Sequence, residues 1–591
     1  MNNSIRLKKW ALGLTLVGIW LLSVTTHLIG YNSAPPVISH DELYYTVQAK
    51  FIALTGSDPT GSWRPWFLTA ADPLYAELPG LIMAPAFILS PNNALLASKL
   101  THAMLGSGLV IVLGLLGWTL SKQKTVLWAT VFVSLFNPWL FQFSRMGFDS
   151  LFSLFFYCLG ILIMIHFRNW RSALAVIPFV IGFFQYQGMK IIFLPIVVAT
   201  FGYVVWRSNY SEHSSQVTRP KSSTWSMMTV LIVCISVFSW FLIRTAFSPD
   251  TTRTQSDLIF SQKSTIAAQV DTQRQQALAS PLSNWFSNKY LFIGQQFGLQ
   301  YLASFNLNQL FLTGEPLRNP FSVWKWGMFY PFDLLLISFG WFVLARDKKR
   351  LPEFVFLLLL LLIAPLPSAI NGKGIWIMFR SSLMIPVLLI VAGSGLAELL
   401  KRVHFSSRYI IVGIYLVGVI MFGYEYFFKY PIYGTEGKYF AERIISSYIQ
   451  RQPAKVDQIL VLADEPKFVY EALLTYGSLI SQTTLEQVRS SFVTEQFAVN
   501  KTLVKNDCVP SLTSSNQVII GNAATPRCGE LAQANPLAIA SLLDSGAHYF
   551  IYNDTLCSGY SLNRYPRVKG NSLEIESLSD AEFCQTFITR D

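Results

Sequence analysis

The sequence predicts a polytopic α-helical membrane protein of about 11 transmembrane helices with a C-terminal mixed α/β domain. Three observations carry that prediction. Apolar residues make up 52% of the 591-residue chain and charged ones only 13%, about half their share in soluble domains. Apolar stretches of membrane-spanning length recur between residues 10 and 428, and the mean hydropathy is +0.40. The net charge of +12 sits in short Lys/Arg clusters between those stretches. That is the distribution of the positive-inside rule and not of a nucleic-acid surface, so no nucleic-acid partner is expected.

Residues 10–30 form the first helix, with Arg6, Lys8 and Lys9 held in the cytoplasm. No small-residue cleavage site follows, so the segment reads as a retained anchor. The first outer loop, 31–94, opens with Ser39-His40-Asp41-Glu42. Its spacing of Leu43, Val47, Phe51 and Leu54 predicts a helix lying flat on the membrane interface. Asp72, Tyr75, Glu77 and Pro79 then precede an apolar run that dips toward the bilayer. Helices are expected over 95–120, 125–143, 150–167, 173–185, 191–206 and 226–247. The segment 248–324 is too polar to span and forms a second large outer loop. Further helices are expected over 326–345, 353–368, 381–400 and 409–428.

Clusters such as Arg346-Asp347-Lys348-Lys349-Arg350 mark cytoplasmic turns, whereas the short outer turns hold only Arg145, Lys190, Lys373 and Arg380. An odd number of spans leaves the N-terminus inside and residues 429–591 outside. That domain mixes helical patterns (439–449 and 468–476) with short apolar strands (458–463, 517–521 and 547–552), the signature of a small α/β unit. Its four cysteines, Cys508, Cys528, Cys557 and Cys584, point to two disulfides in an oxidising compartment, with three connectivities open. Cys158 and Cys234 lie in apolar helices and read as packing residues.

Outer turns need no cations for topology. Arg145, Lys190 and Arg380, facing the acids of the first loop, point to an anionic lipid headgroup beside an apolar tail groove, although any one of them also fits lipid snorkelling. A carboxylate beside such a site implies glycosyl transfer from a lipid phosphate. The acid takes a proton from the acceptor, cations stabilise the departing phosphate, and a single displacement inverts the sugar carbon. His40, beside Asp41 and Glu42, raises a divalent metal as a possibility, but three consecutive residues seldom converge on one ion; no cofactor is required.

The layout resembles the GT-C membrane glycosyltransferases, especially the branch of protein O-mannosyltransferases and aminoarabinose transferases. The resemblance rests on Asp41-Glu42 in the first outer loop and on Ser144-Arg145-Met146-Gly147-Phe148-Asp149 after the third helix. It extends to Phe184-Gln185-Tyr186-Gln187 before Pro195, to Phe379-Arg380-Ser381 before Pro386, and to the outer-domain segments 439–449 and 470–477. Many relatives carry Arg where this chain has Lys190, a departure that weakens that one assignment. The resemblance implies GT-C architecture over residues 1–428 with a periplasmic domain over 429–591. It also implies a polyprenyl-phosphate sugar donor, a lipid, glycan or protein acceptor, and a place in a bacterial inner membrane. By the same resemblance Asp41 is the general base, Glu42 orients it or the acceptor, and Arg145, Lys190 and Arg380 hold the donor phosphate. Asp149, Tyr75, Glu77, Tyr186 and Gln187 are candidates for donor-sugar or acceptor contact, although Asp149 also fits a helix cap and Tyr75 and Glu77 also fit a plain loop lining.

Two rivals come from other readings of the same residues. A transporter or flippase is expected to carry midplane charges or an inverted repeat, and here charge gathers at helix ends without a repeat. An O-antigen ligase or polymerase is not expected to place its motif directly after the first helix.

Overall fold

The computed structural model describes the chain apart from residues 1, 66, 67, 73, 168, 213–220, 248–257, 279, 316–322, 324, 325, 373–376, 437, 438, 508–515, 525–534, 544, 545, 567, 569–572 and 591. Among the described residues, eight helices are long and apolar enough to cross a membrane: Trp10–Leu28, Ala94–Ser121, Asp149–His166, Lys190–Ser208, Trp225–Phe247, Lys348–Ala369, Met384–Arg402 and Phe405–Tyr433. The other three expected spans are shorter or broken. Lys124–Leu135 stops at Asn137, whose Oδ1 accepts from the Leu140 amide and starts a second short helix, Pro138–Phe143. Proline has no amide hydrogen and clashes with a preceding turn, so the break falls there. Trp170–Ala175 is a 3-10 turn leading into Val176–Phe183. Asp333–Arg346 begins only after Pro331.

The bundle has two chemically distinct ends. At one end of the Ala94–Ser121 helix, the Ala94 amide donates to Ser478 Oγ of the C-terminal domain at 3.1 Å. At its other end, the Leu120 carbonyl accepts from Arg207 at 2.9 Å. Arg207 pairs there with Glu353, and Lys401 donates to Gln123 at 2.7 Å. The Lys/Arg-rich turns therefore gather at the end remote from the domain.

The first loop departs from its expectation. Its helix, His40–Thr55, is capped by Ser39 Oγ accepting from the Glu42 amide and closed by Gly56 at φ 73°, where a side chain would be strained. It does not lie on an interface. Tyr44, Tyr45 and Ala49 join the core of the bundle, while Val47 and Phe51 join the core of the C-terminal domain. Apolar residues on every face of a helix bury it on every side, and here two bodies do so. The Asp72–Lys467 ion pair at 2.9 Å reinforces the same junction.

The C-terminal domain is a seven-stranded mixed sheet. Its strands are β1 (Gln458–Leu462), β2 (Phe497–Val499), β3 (Thr502–Lys505), β4 (Gln517–Asn522), β5 (Leu537–Ala540), β6 (Ala547–Tyr552) and β7 (Ile588–Arg590). They run in the order β2-β3-β1-β4-β6-β5-β7, with β1 parallel to β3 and β4 and the remaining pairs antiparallel. Helices Phe440–Gln450 and Pro466–Tyr476 pack on it and carry the domain onto the bundle. Cys557 and Cys584 form a disulfide, and Cys158 and Cys234 are buried free thiols in helices. Cys508 and Cys528 lie outside the described residues. The segment from Lys263 to Thr313 folds as helices Lys263–Gln275, Ser283–Phe286, Lys289–Ala303 and Gln309–Thr313.

Candidate active site

The two acids of the first loop stand side by side in the chain and part company in space. Glu42 turns into the protein and is fully buried. Lys99 pairs with it at 2.7 Å, Ser98 Oγ donates to its Oε1 at 2.7 Å, and the Gly147 amide donates to its Oε2 at 2.9 Å. Burial opposes its charge, but Lys99, His102 and these hydrogen bonds outweigh that and hold its carboxyl below the usual range. Gly147 is required for the approach, because a Cβ there would come within 2.1 Å of Glu42. Ser39 Oγ also donates to the Gly147 carbonyl at 3.1 Å, so the start of the His40–Thr55 helix is pinned to the 144–148 turn.

Asp41 is partly exposed, in contrast to its buried neighbour. Its charge bears on the phenols of Tyr45, Tyr75, Tyr186 and Tyr439. Asp149 joins the same neighbourhood: Tyr45 donates to its Oδ2 at 2.9 Å while accepting from the Ala76 amide at 2.7 Å. Tyr186 completes it. Burial pushes its phenol up, a hydrogen bond from Arg380 pulls it back, and Asp149 and Asp41 push it up again. Tyr186 is therefore a neutral hydroxyl set between a guanidinium and two carboxylates. Phe148 stacks on Phe379 at 5.3 Å and Tyr186 meets Phe379 edge-on at 6.4 Å, which fixes the three turns against one another. Gln187 donates to the Tyr75 carbonyl at 2.6 Å.

Two of the expected headgroup ligands have other partners. Arg145 is 2% exposed and its guanidinium caps the first helix: it donates to the carbonyls of His27 at 2.6 Å, Ile29 at 2.7 Å and Ala34 at 2.5 Å. A helix end leaves carbonyls without partners, and a buried cation satisfies them and the helix dipole together. Phe141, Tyr426 and Phe427 enclose the guanidinium at 5.3–5.4 Å. Lys190 is likewise buried, paired with Glu77 at 2.6 Å and lying 4.3 Å over Phe241. Neither cation is turned toward Asp41 as the sequence reading expected. Of the three, Arg380 alone reaches the Asp41 side.

His40 stands between two tyrosines, with Nε2 2.7 Å from the Tyr75 hydroxyl and Nδ1 2.7 Å from the Tyr439 hydroxyl. A metal at His40 would have to displace one of them. Among the described residues no three His, Cys, Asp or Glu side chains gather around one point. Tyr44 stacks flat on Tyr75 at 3.6 Å, and Phe468 of the C-terminal domain meets the His40 ring at 4.0 Å. An apolar cavity of about 360 Å³ opens along the first loop, lined by Ile52, Gly56, Pro65, Leu68, Leu78 and Leu81. Its wall residue Leu78 adjoins Glu77.

Lys99, Tyr45, Tyr439 and Glu471 were not anticipated. Lys99 and His102 had a usable signal, since ionisable residues inside a spanning stretch are costly and need a partner. Glu471 is fully buried beside Tyr44, Tyr75 and Tyr439, and burial pushes its carboxyl up to about 8, with Lys467 lowering it and Asp72 raising it again.

No protein-family profile matches the sequence, and no curated protein matches it. Solved structures do align with it. ArnT from Cupriavidus metallidurans bound to undecaprenyl phosphate aligns over 92% of this chain and 98% of its own, with 11% identity and a TM-score of 0.48. Archaeal oligosaccharyltransferase AglB from Archaeoglobus fulgidus, in complex with an inhibitory peptide and a dolichol-phosphate, aligns over 87% of this chain and 69% of its own. Its identity is 12% and its TM-score 0.45. A second AglB structure, in complex with Zn and sulfate, gives 13% identity and a TM-score of 0.39. Likeness at this level carries nothing about what the chain binds or transfers.

Proposed function

We propose that the protein is a GT-C glycosyltransferase that moves a sugar from a polyprenyl-phosphate donor to a lipid, glycan or protein acceptor. The reaction takes place at the outer face of a bacterial inner membrane, with the N-terminus cytoplasmic and the C-terminal domain periplasmic. The observation that carries the reading is one partly exposed carboxylate, Asp41, sharing a neighbourhood with Asp149, Tyr186 and Arg380 at the domain end of a membrane bundle. An apolar cavity on the same loop suits the first isoprene units of a lipid tail.

Asp41 takes the proton of the acceptor hydroxyl as its oxygen attacks the anomeric carbon. The bond from that carbon to the phosphate oxygen breaks, and polyprenyl phosphate leaves with the electron pair. Arg380 and the Tyr186 hydroxyl stabilise the charge that develops on it. One displacement inverts the sugar carbon. Asp149, held by Tyr45, orients the sugar from the 144–149 turn, and Gln187 from the turn before Lys190. Glu42 acts through the Lys99 pair as a positioning residue that fixes the helix start under Asp41, and Arg145 positions the same turn from behind. Lys190 with Glu77 stiffens the wall beside the lipid cavity. No metal enters these steps.

The test is turnover of radiolabelled undecaprenyl-phosphate sugars by the full chain in lipid nanodiscs. Asp41→Asn is expected to lower transfer by about 10²–10⁴-fold with donor binding retained. Full activity in that variant overturns the mechanism.

A further inference from the structure

Residues 248–324 read in the sequence as an outer loop, yet part of that stretch lies at the depth of the spanning helices. Its start is tied to the domain end of the Lys348–Ala369 span, where the Ile259 amide donates to the Ile370 carbonyl at 2.9 Å. Further on, the Tyr301 hydroxyl donates to the Leu362 carbonyl at 2.7 Å. Leu362 lies eight positions deeper in the bundle than Ile370, about 12 Å along a helix axis. One leaflet of hydrocarbon is about 15 Å thick, so the helix Lys289–Ala303 ends within the domain-side leaflet.

The surface that this segment presents is apolar. Trp285, Phe286 and Tyr290 are 72–77% exposed, and Leu299 and Leu302 are 62–67% exposed. No charged residue occurs between Lys289 and Glu315. Single exposed hydrophobic side chains are ordinary, but a run of this size marks a surface that something covers. The preceding helix, Lys263–Gln275, has the opposite character. It buries Ile266 and Val270 against Phe292 and exposes Lys263, Gln269, Asp271 and Thr272. A helix suited to water therefore packs beside one suited to lipid, as at a membrane boundary.

Continuity selects lipid as the cover. Leu359 and Leu362, on the span that accepts from Tyr301, are themselves exposed. A spanning helix meets lipid wherever protein does not cover it, so the lipid-facing flank of the bundle runs on into the segment. At 15 residues, Lys289–Ala303 is too short to cross the membrane. Trp285 and Tyr290 stand at its start, residue types that sit at headgroup level, and the Lys289 ammonium lies 5.0 Å over the Tyr290 ring. We propose that residues 282–307 are a membrane anchor whose apolar side chains enter the acyl chains of the domain-side leaflet without crossing it. The anchor is joined to the candidate site. Ser304 Oγ lies 3.1 Å from Ser381 Oγ, itself 2.6 Å from Ser368 Oγ, and all three serines are fully buried. The immersed segment thus ends on the turn that carries Arg380, whatever the protein transfers.

The experiment is spin-label EPR on the full chain in nanodiscs of phosphatidylethanolamine and phosphatidylglycerol, with no donor or acceptor. Nitroxides are placed one at a time through Phe286→Cys, Leu299→Cys and Leu302→Cys. Ser264→Cys and Thr272→Cys supply the water-facing references, and the unsubstituted chain is the labelling blank. All five positions are exposed, so the labels do not enter the core. At Phe286, Leu299 and Leu302, collisions with oxygen are expected to exceed those with nickel-EDDA by about threefold, and the ratio to invert at Ser264 and Thr272. Nickel collisions equal to or above those of oxygen at two of the three apolar positions overturn the inference. So does shielding from both reagents, with spin–spin broadening assigning the face to a second copy of the chain and its absence assigning the face to another protein surface. No transfer is measured, so a failed glycosyl-transfer assay leaves the anchor standing, while an aqueous segment removes the anchor even where transfer occurs.

Discussion

The turn holding Arg145 and the turn holding Arg380 reach the same end of the bundle, and each delivers a guanidinium among aromatic rings. Arg145 lies 5.3–5.4 Å from Phe141, Tyr426 and Phe427, and Arg380 lies 5.5 Å from Phe379. Each meets a tyrosine hydroxyl, Tyr426 for Arg145 and Tyr186 for Arg380, but the remaining donors differ. Those of Arg145 go to backbone carbonyls at the end of the first helix, in a site closed to solvent. Arg380 is partly exposed and meets a tyrosine hydroxyl in the field of two carboxylates. Asp41 and Glu42 repeat the contrast for acids. A charged residue at a helix end thus takes its role from its other partners, and position along the membrane normal does not decide between architecture and chemistry.

The contrast is broken most forcefully at Arg145. Arg145→Ala strips short bonds from three buried carbonyls, each costing about 1–3 kcal/mol, so a loss of about 5 kcal/mol and a collapse in folded yield are expected. Size-exclusion profiles and melting temperatures in detergent check this; a stable Arg145→Ala chain with weakened donor binding would return Arg145 to the headgroup. Next comes Lys99→Met, which strands the Glu42 charge and is expected to cost about 4 kcal/mol. Pairing it with Glu42→Gln should recover most of the melting temperature, and failure to recover would show that the pair is not a closed unit. Arg380→Ala should do the reverse of both: it should leave the melting temperature nearly unchanged and weaken polyprenyl-phosphate binding by about tenfold, roughly one charge-assisted hydrogen bond.

A pH-dependent effect concerns the seam with the domain. Glu471 keeps its proton in the folded chain up to about pH 8 and releases it near 4.5 when unfolded. Over that interval the folded state binds the extra proton, so stability is full below pH 4.5 and declines as pH rises toward 8. At 1.36 kcal/mol per unit the decline from pH 5 to 8 is on the order of 3 kcal/mol. Glu471→Gln should flatten the melting-temperature profile over this range, and an unchanged slope would assign the pH dependence elsewhere.

Apolar stretches and basic clusters made the bundle legible, because water and lipid impose those patterns residue by residue. Two helices, expected over 125–143 and 326–345, came out shorter than their apolar stretches because Pro138 and Pro331 restart the chain within them, and a hydropathy sum does not register a missing amide. In the domain, Phe440–Gln450, β1, β4 and β6 were readable from periodicity, whereas β2, β3, β5 and β7, of three or four residues each, were too short to show one. The motif Asp41-Glu42 located the candidate site but not the direction each acid takes. That direction depends on Lys99 and Gly147, 57 and 105 residues away along the chain. The helix of the first loop was misread as interfacial because its second apolar face is covered by residues beyond 439, which no local pattern reveals.

That covering has a consequence for how the protein is made. His40 hydrogen-bonds Tyr439 across 399 positions of sequence. At a synthesis rate of roughly 5–20 residues per second, about 20–80 s separate the appearance of the two partners. During that interval the loop helix has its bundle side packed and its other side bare, and the nascent chain has all the polar residues of the candidate site without the surface that closes over them. Closure of the site over His40 therefore waits until Tyr439 and Phe468 have been made. A ribosome stalled before residue 439 leaves a chain whose loop helix has one apolar face uncovered.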